Sequence, residues 1–137
     1  MRLIAFDAGT KRIGIAVSDA GCSIASPLKY LENNSRLMPE ISKLIEIYDP
    51  EKLVVGNPLN MDGTPSKGLF VPEFVAALEK IKGRAQIVMW DERLTTYDAE
   101  QMLIGADMSR AKRKKVIDKL AAALMLQSYI NQLQKGR

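Results

Sequence analysis

Leu3-Ile4-Ala5-Phe6-Asp7-Ala8-Gly9-Thr10-Lys11-Arg12-Ile13-Gly14-Ile15-Ala16-Val17-Ser18-Asp19 decides the fold. Two apolar runs, Leu3–Asp7 and Ile13–Ser18, flank a short polar segment, the pattern of two buried strands joined by a tight turn. Asp7 ends the first run where the backbone must reverse. Gly9 allows the turn a positive φ or a close ligand approach. Thr10, Lys11 and Arg12 set a hydroxyl and two cations beside that carboxylate, a chemistry suited to binding a metal and an anionic substrate together. The same residues also describe an ordinary hairpin turn. The rest of the chain has to decide between the two.

Working outward, Asp19-Ala20-Gly21 marks a second turn, and Cys22–Leu28 reads as a third strand ending near Pro27. Short connections make these three strands an antiparallel meander. Asn33-Asn34-Ser35 offers caps for a helix that tolerates Pro39 in its first turn. Its Leu37, Ile41, Leu44, Ile45 and Tyr48 share one face, and Asp49-Pro50 stops it. Lys52–Gly56 is a short buried strand, followed by the irregular loop 57–65. A second helix spans 66–82 with Phe70, Phe74, Leu78 and Ile81 inward, and Gly83 marks its end. Gln86–Trp90 is the fifth strand, with Asp91-Glu92-Arg93 at its carboxyl end. Met89 and Trp90 read as core.

Thr95 with Asp98 resembles a capping box for a third helix ending near Gly105. A loop over 105–111 precedes a last helix over 112–134, where Ile117, Leu120, Ala121, Leu124 and Met125 form an apolar stripe. This order predicts an α/β fold in one domain, 1–137: a five-stranded mixed sheet, three antiparallel strands then two parallel, flanked by helices. Sites in such sheets form beyond the carboxyl ends of the parallel strands. That rim carries Asp7, the 57–65 loop and Asp91-Glu92.

Composition narrows the chemistry. The 137 residues are 47% hydrophobic and 26% charged, as in a soluble globular protein, with no apolar run near the ~20 residues a membrane span requires. The N-terminus carries a strand pattern rather than a signal peptide, and the single cysteine, Cys22, has no internal disulfide partner; both point to the cytoplasm. The chain contains no histidine, which removes the usual general base, the Ser-His and Cys-His pairs and the usual zinc ligands. Catalysis would then rest on carboxylates, lysine or a hard cation, and oxygen ligands select magnesium or manganese. The formal charge of +4 is local: residues 110–119 hold six basic residues and one acid, whereas the remainder holds 14 basic and 15 acidic residues. Such a patch suits a phosphate backbone, and equally a solvated helix end.

Three acids stand out. Asp7 and Glu92 end strands, and Asp118 opens the last helix between the basic run and an apolar stretch. An unpaired acid among Ile117, Leu120 and Ala121 would be costly to bury, and a metal or a cation such as Arg93 or Lys11 would offset that cost. Three carboxylates at one rim repel one another unless a divalent ion is present; with magnesium they can hold two ions about 3.5–4 Å apart for in-line attack on a phosphodiester. Against this stand plainer readings. Asp118 can serve the helix dipole, and Asp91-Glu92-Arg93 can be a salt-bridged surface turn.

Four segments carry a resemblance: Asp7-Ala-Gly-Thr-Lys-Arg-Ile-Gly-Ile-Ala-Val-Ser-Asp19, Val55-Gly-Asn-Pro-Leu-Asn-Met-Asp-Gly-Thr64, Asp91-Glu-Arg-Leu-Thr-Thr96 and Ile117-Asp-Lys-Leu-Ala-Ala-Ala123. In this order, across nearly the whole chain, they resemble the YqgF (RuvX) family of ribonuclease H-like nucleases. That family is described both as Holliday-junction resolvases and as nucleases maturing the precursor of the small-subunit ribosomal RNA. The resemblance implies a ribonuclease H-like fold and an acidic triad of Asp7, Glu92 and Asp118, with Asp91 a further metal ligand. Asn57 departs from the family, which has leucine after the Val-Gly pair.

The expected function is a magnesium- or manganese-dependent endonuclease of structured nucleic acid. Thr10, Lys11, Arg12, Asn60 and Arg93 would hold phosphates near the cut, and Arg110, Lys112, Arg113, Lys114 and Lys115 would track the backbone further out. Structured RNA is favoured over branched DNA on the resemblance alone, and a monomer and a homodimer remain open. Two other classes compete. A nucleic-acid-binding assembly factor would use the same basic patch without metal. A phosphotransferase with an Asp-x-Gly-Thr phosphate loop would need two lobes that 137 residues do not supply.

Overall fold

The computed structural model describes residues 1–57, 70–95, 97–104, 109, 111–112, 116 and 120–136. One sheet organises them, in the strand order β3-β2-β1-β4-β5. Its strands are β1 (Leu3–Ala8), β2 (Arg12–Ser18), β3 (Ala25–Glu32), β4 (Lys52–Asn57) and β5 (Gln86–Asp91). β1, β2 and β3 pair antiparallel, whereas β4 joins β1, and β5 joins β4, in parallel. The expected mixed sheet is therefore present, with β1 at its centre.

Strand alternation divides the core into two layers. Ile4, Phe6, Ile13, Ile15, Leu53 and Val55 face α1 (Leu37–Tyr48) and α2 (Phe70–Ile81). Leu3, Ala5, Ala16, Val54 and Trp90 face α4 (Ala121–Lys135). A third helix, α3 (Tyr97–Ile104), packs on α4 from outside. Enclosed by sheet and helix, α4 is buried without a break from Ala122 to Ile130. Its small residues Ala122 and Ala123 allow that close approach. Phe6, directly before Asp7, is fully buried and meets Phe74 edge-on at 5.5 Å between ring centroids. That contact fixes β1 just below the rim where Asp7 stands.

Two sets of hydrogen bonds set the helix and strands against each other. The Leu3 amide donates to Ser18 Oγ at 2.8 Å, tying β1 to β2 where side chains are buried. Gln127, fully buried on α4, accepts from the Ala25 amide at 2.8 Å and donates to the Ser23 carbonyl at 3.1 Å. The start of the edge strand is thus held by the helix rather than by the sheet alone.

Several boundaries differ from the sequence expectation, each for a local reason. β3 begins and ends later than Cys22–Leu28, and Pro27 lies within it. The pairing steps from Ile15↔Lys29 to Ala16↔Pro27, so Leu28 is an extra residue in a bulge on an edge strand, where a proline without an N–H is tolerated. Gly9 does not adopt a positive φ. A Cβ there would stand 2.7 Å from the Arg12 carbonyl oxygen, to which the Gly9 amide donates at 3.1 Å, so tight closure of the turn requires glycine.

Thr95 does not open α3. Its amide closes a 3-10 turn over Glu92–Leu94 by donating to the Glu92 carbonyl, and α3 begins at Tyr97. The Asp98 side chain lies outside the described residues. Met89, read as core, is 44% exposed, because β5 is the other edge of the sheet; Trp90 is buried, edge-on to Tyr129. The N-cap of α1 is Arg36 and no side chain caps it; Asn34 instead accepts from the Arg36 amide with its side chain and from the Leu37 amide with its carbonyl. The 57–65 loop beyond Asn57, the first residues of the second expected helix (66–69), most of the 105–111 loop and much of 112–120 lie outside the described residues.

Candidate metal and phosphate site

Asp7 is brought to the carboxyl rim by β1 and faces the α4 side of the sheet, as its alternation with Leu3 and Ala5 requires. Glu92 follows β5 and turns back over β4. Gly56 makes this possible: a Cβ there would lie 2.5 Å from Glu92 Oε1 and 2.7 Å from Met125 Sδ. The bare backbone of Gly56 lets the Glu92 carboxyl reach Asp7, and the two hydrogen-bond side chain to side chain.

The electrostatics follow from that contact. Burial raises the Asp7 carboxyl above its ordinary range, an effect the Glu92 hydrogen bond partly opposes. Burial also raises Glu92, reinforced by the charge of Asp7, to about 7. Two half-buried acids in contact repel each other when both are charged, and a proton or a cation relieves that repulsion.

Asp91 has a different role. It accepts from the Arg93 amide at 3.0 Å and pairs with the Arg93 guanidinium at 2.6 Å, which holds its carboxyl below the ordinary carboxylate range. Of the two adjacent acids, Glu92 meets Asp7 and Asp91 is paired with Arg93. The plainer reading of this turn as a salt bridge therefore describes how Asp91 and Arg93 stand in this structure. Asn57 registers with Asp91 on β5 and, by alternation, faces away from the Gly56 side.

On the other flank of Asp7, the β1–β2 turn carries Thr10, Lys11 and Arg12, all exposed. Asn33 fastens this turn: its amide donates to the Lys11 carbonyl at 2.9 Å and its side chain to the Thr10 carbonyl at 2.8 Å. Asp7, Gly9, Thr10, Lys11, Arg12 and Tyr30 line an open cavity of about 310 Å³. A second, of about 300 Å³, lies between Asp7, Gly14 and Tyr30 on the sheet and Ala121 and Ala122 at the start of α4. Lys112 is exposed and its amide donates to Ser109 Oγ. Asn60, Arg110, Arg113, Lys114, Lys115 and Asp118 lie outside the described residues, and among the described residues no three metal-ligating side chains cluster.

Sequence reasoning missed Gly56, Tyr30, Asn33 and Met125. Glycine within the strand patterns at Gly14 and Gly56 was the available signal, since such a residue marks a close approach.

The RuvX family model, described as Holliday junction resolvase, matches residues 1–132. The chain belongs to the RuvX family. A RuvX relative from Caldanaerobacter subterraneus subsp. tengcongensis, named "Putative pre-16S rRNA nuclease", is 45% identical over 135 residues, covering 96% of each chain. Its namesake from Bacillus thuringiensis is 42% identical over 136 residues, covering 96% of this chain and 98% of the other. Among solved structures, Thermus thermophilus RuvC superposes with a TM-score of 0.61 at 12% identity, over 99% of this chain and 97% of that one. Fowlpox virus resolvase, solved with Holliday junction DNA, gives 0.54 at 10% identity over 97% and 99%. These two likenesses establish the RuvC-like, ribonuclease H-like fold of the RuvX chain.

Proposed function

We propose that the chain, acting as a single domain over residues 1–137, is a divalent-metal-dependent endonuclease that hydrolyses phosphodiester bonds in structured nucleic acid, with the pre-16S ribosomal RNA as its substrate. The observation that carries this reading is the Asp7–Glu92 carboxyl pair at the sheet rim of a RuvX-family fold. The names of relatives 42–45% identical over nearly the whole chain support the RNA substrate.

The donor set fits magnesium or manganese. It is made of carboxylate oxygens, the chain has no histidine, and both acids are raised by burial in a way that a divalent cation would reverse. Asp7 and Glu92 would hold the ion, with Asp118, which precedes α4 by a few residues, completing the set. A divalent ion bound there supplies Lewis-acid polarisation of the phosphodiester and eases attack by water. Lys11 and Arg12 hold the phosphate beside Asp7, and Thr10 adds a hydroxyl. Asn33 keeps that turn in place. Lys112 and its basic neighbours track the strand further away. No helix among the described residues is long and apolar enough to cross a membrane, in keeping with a cytoplasmic site of action.

The family description favours a second substrate, a four-way DNA junction. Cleavage of both substrates, side by side, with magnesium or manganese, by wild type and Asp7→Asn, separates the readings. The proposal expects metal-dependent cleavage of the RNA precursor that Asp7→Asn abolishes. Cleavage of the junction alone would transfer the function to DNA, and cleavage by neither would leave a non-catalytic binding protein.

A further inference from the structure

We propose that Tyr30 is a stacking platform for a substrate nucleobase adjoining the scissile phosphate. The inference deepens the nuclease reading above and rests on it. Tyr30, Gly14 and Asp7 form a row across β3, β2 and β1, with Tyr30 registered on Gly14 and Gly14 on Asp7. A Cβ at Gly14 would stand 3.2 Å from the Tyr30 ring and 3.7 Å from Asp7 Cβ, so the ring leans over Gly14 toward the acid. Both cavities beside Asp7 share Asp7, Gly14 and Tyr30 as walls, and together they add Lys11, Arg12 and Lys29.

Tyr30 is 47% exposed and belongs to neither core cluster, although it sits on a strand whose neighbour is buried. The Arg12 guanidinium lies over it, 5.4 Å from the centroid. An exposed ring next to a cation, two strands from the candidate metal ligand, has the two parts a nucleotide needs. The base has a π-face to stack on, and the phosphate has a cation beside the ring that lines the same cavity as the carboxylate. Lys11 and Lys29 add positive charge along the same wall, complementary to a strand passing from the Tyr30 side to Asp7. The small residues Ala121 and Ala122 on the opposite wall leave room for the sugar.

The test measures binding by the full chain carrying Asp7→Asn, so that the probe stays intact. The probes are a fluorescein-labelled RNA from the 5′ side of pre-16S rRNA and copies with one abasic nucleotide stepped along it. Tyr30→Ala and Tyr30→Leu should weaken binding about 5- to 150-fold, the range of one base–aromatic stack, with Tyr30→Phe close to the parent. One abasic position should cost the parent the same factor and cost Tyr30→Ala nothing further. The salt slope should not change, which separates stacking from lost charge. Unweakened binding by Tyr30→Ala and Tyr30→Leu, or abasic losses that add to theirs at every position, would overturn this inference and leave the nuclease reading standing. A parent that binds no nucleic acid would overturn both.

Discussion

Asp7 and Glu92 meet side chain to side chain above the bare backbone of Gly56, brought there by the central strand β1 and the turn after the edge strand β5. Among the described residues, neither carboxyl has a cationic partner to match the Arg93 that pairs with Asp91. Any metal ion they hold must therefore compete with protons for these two carboxylates.

This competition has a pH signature. Glu92 titrates near 7 in the folded chain against an ordinary value of 4.5, so the metal-free fold binds more protons than the unfolded chain between those values. Its stability should fall as pH rises through that window, and Asp7, also raised, acts in the same direction. Urea unfolding at pH 5 and pH 8 without metal checks this. Glu92→Gln should flatten much of the difference. With metal present the order changes: affinity and cleavage should both rise from pH 6 to pH 8 as the carboxyls lose their protons.

Gly56→Ala tests how Glu92 is positioned. The added methyl would collide with Glu92 Oε1 and Met125 Sδ, so the carboxyl must swing away from Asp7. A displacement on this scale should cost about 100-fold in cleavage rate. RNA binding should stay close to wild type, because the cations of the β1–β2 turn are untouched. Single-turnover rates alongside binding measurements separate the two effects.

The adjacent acids should separate in the same assay. Glu92→Gln should reduce cleavage to background, whereas Asp91→Asn should leave most of it, since Asp91 serves Arg93 and the 3-10 turn. Equal losses would place both side chains on the metal.

Sequence alone made β1 and β2 legible, because buried apolar runs end at Asp7 and restart at Ile13. It could not choose between Asp91 and Glu92. Successive residues at a strand end face opposite ways, and only the turn geometry over Gly56 shows which one doubles back. β3 was misplaced for a related reason: on an edge strand with a bulge, Pro27 resembles a stop, and the mostly exposed Ala25–Glu32 lacks a clean alternation. Tyr30 was missed along with it.

Lys11 should contribute charge rather than shape. Lys11→Ala is expected to weaken binding of a structured RNA and to reduce the magnitude of the log–log salt slope by about 0.9, one phosphate contact on a duplex. Titration of binding against potassium chloride gives that slope directly. An unchanged slope would move the phosphate contact elsewhere.

Calorimetric titration of manganese into wild type and Asp7→Asn at pH 8, with an uncleavable phosphorothioate RNA present, tests the metal site most directly. Saturable binding by wild type at millimolar metal or below, lost in Asp7→Asn, is the predicted result. No binding by wild type, or equal binding by both proteins, would contradict the account.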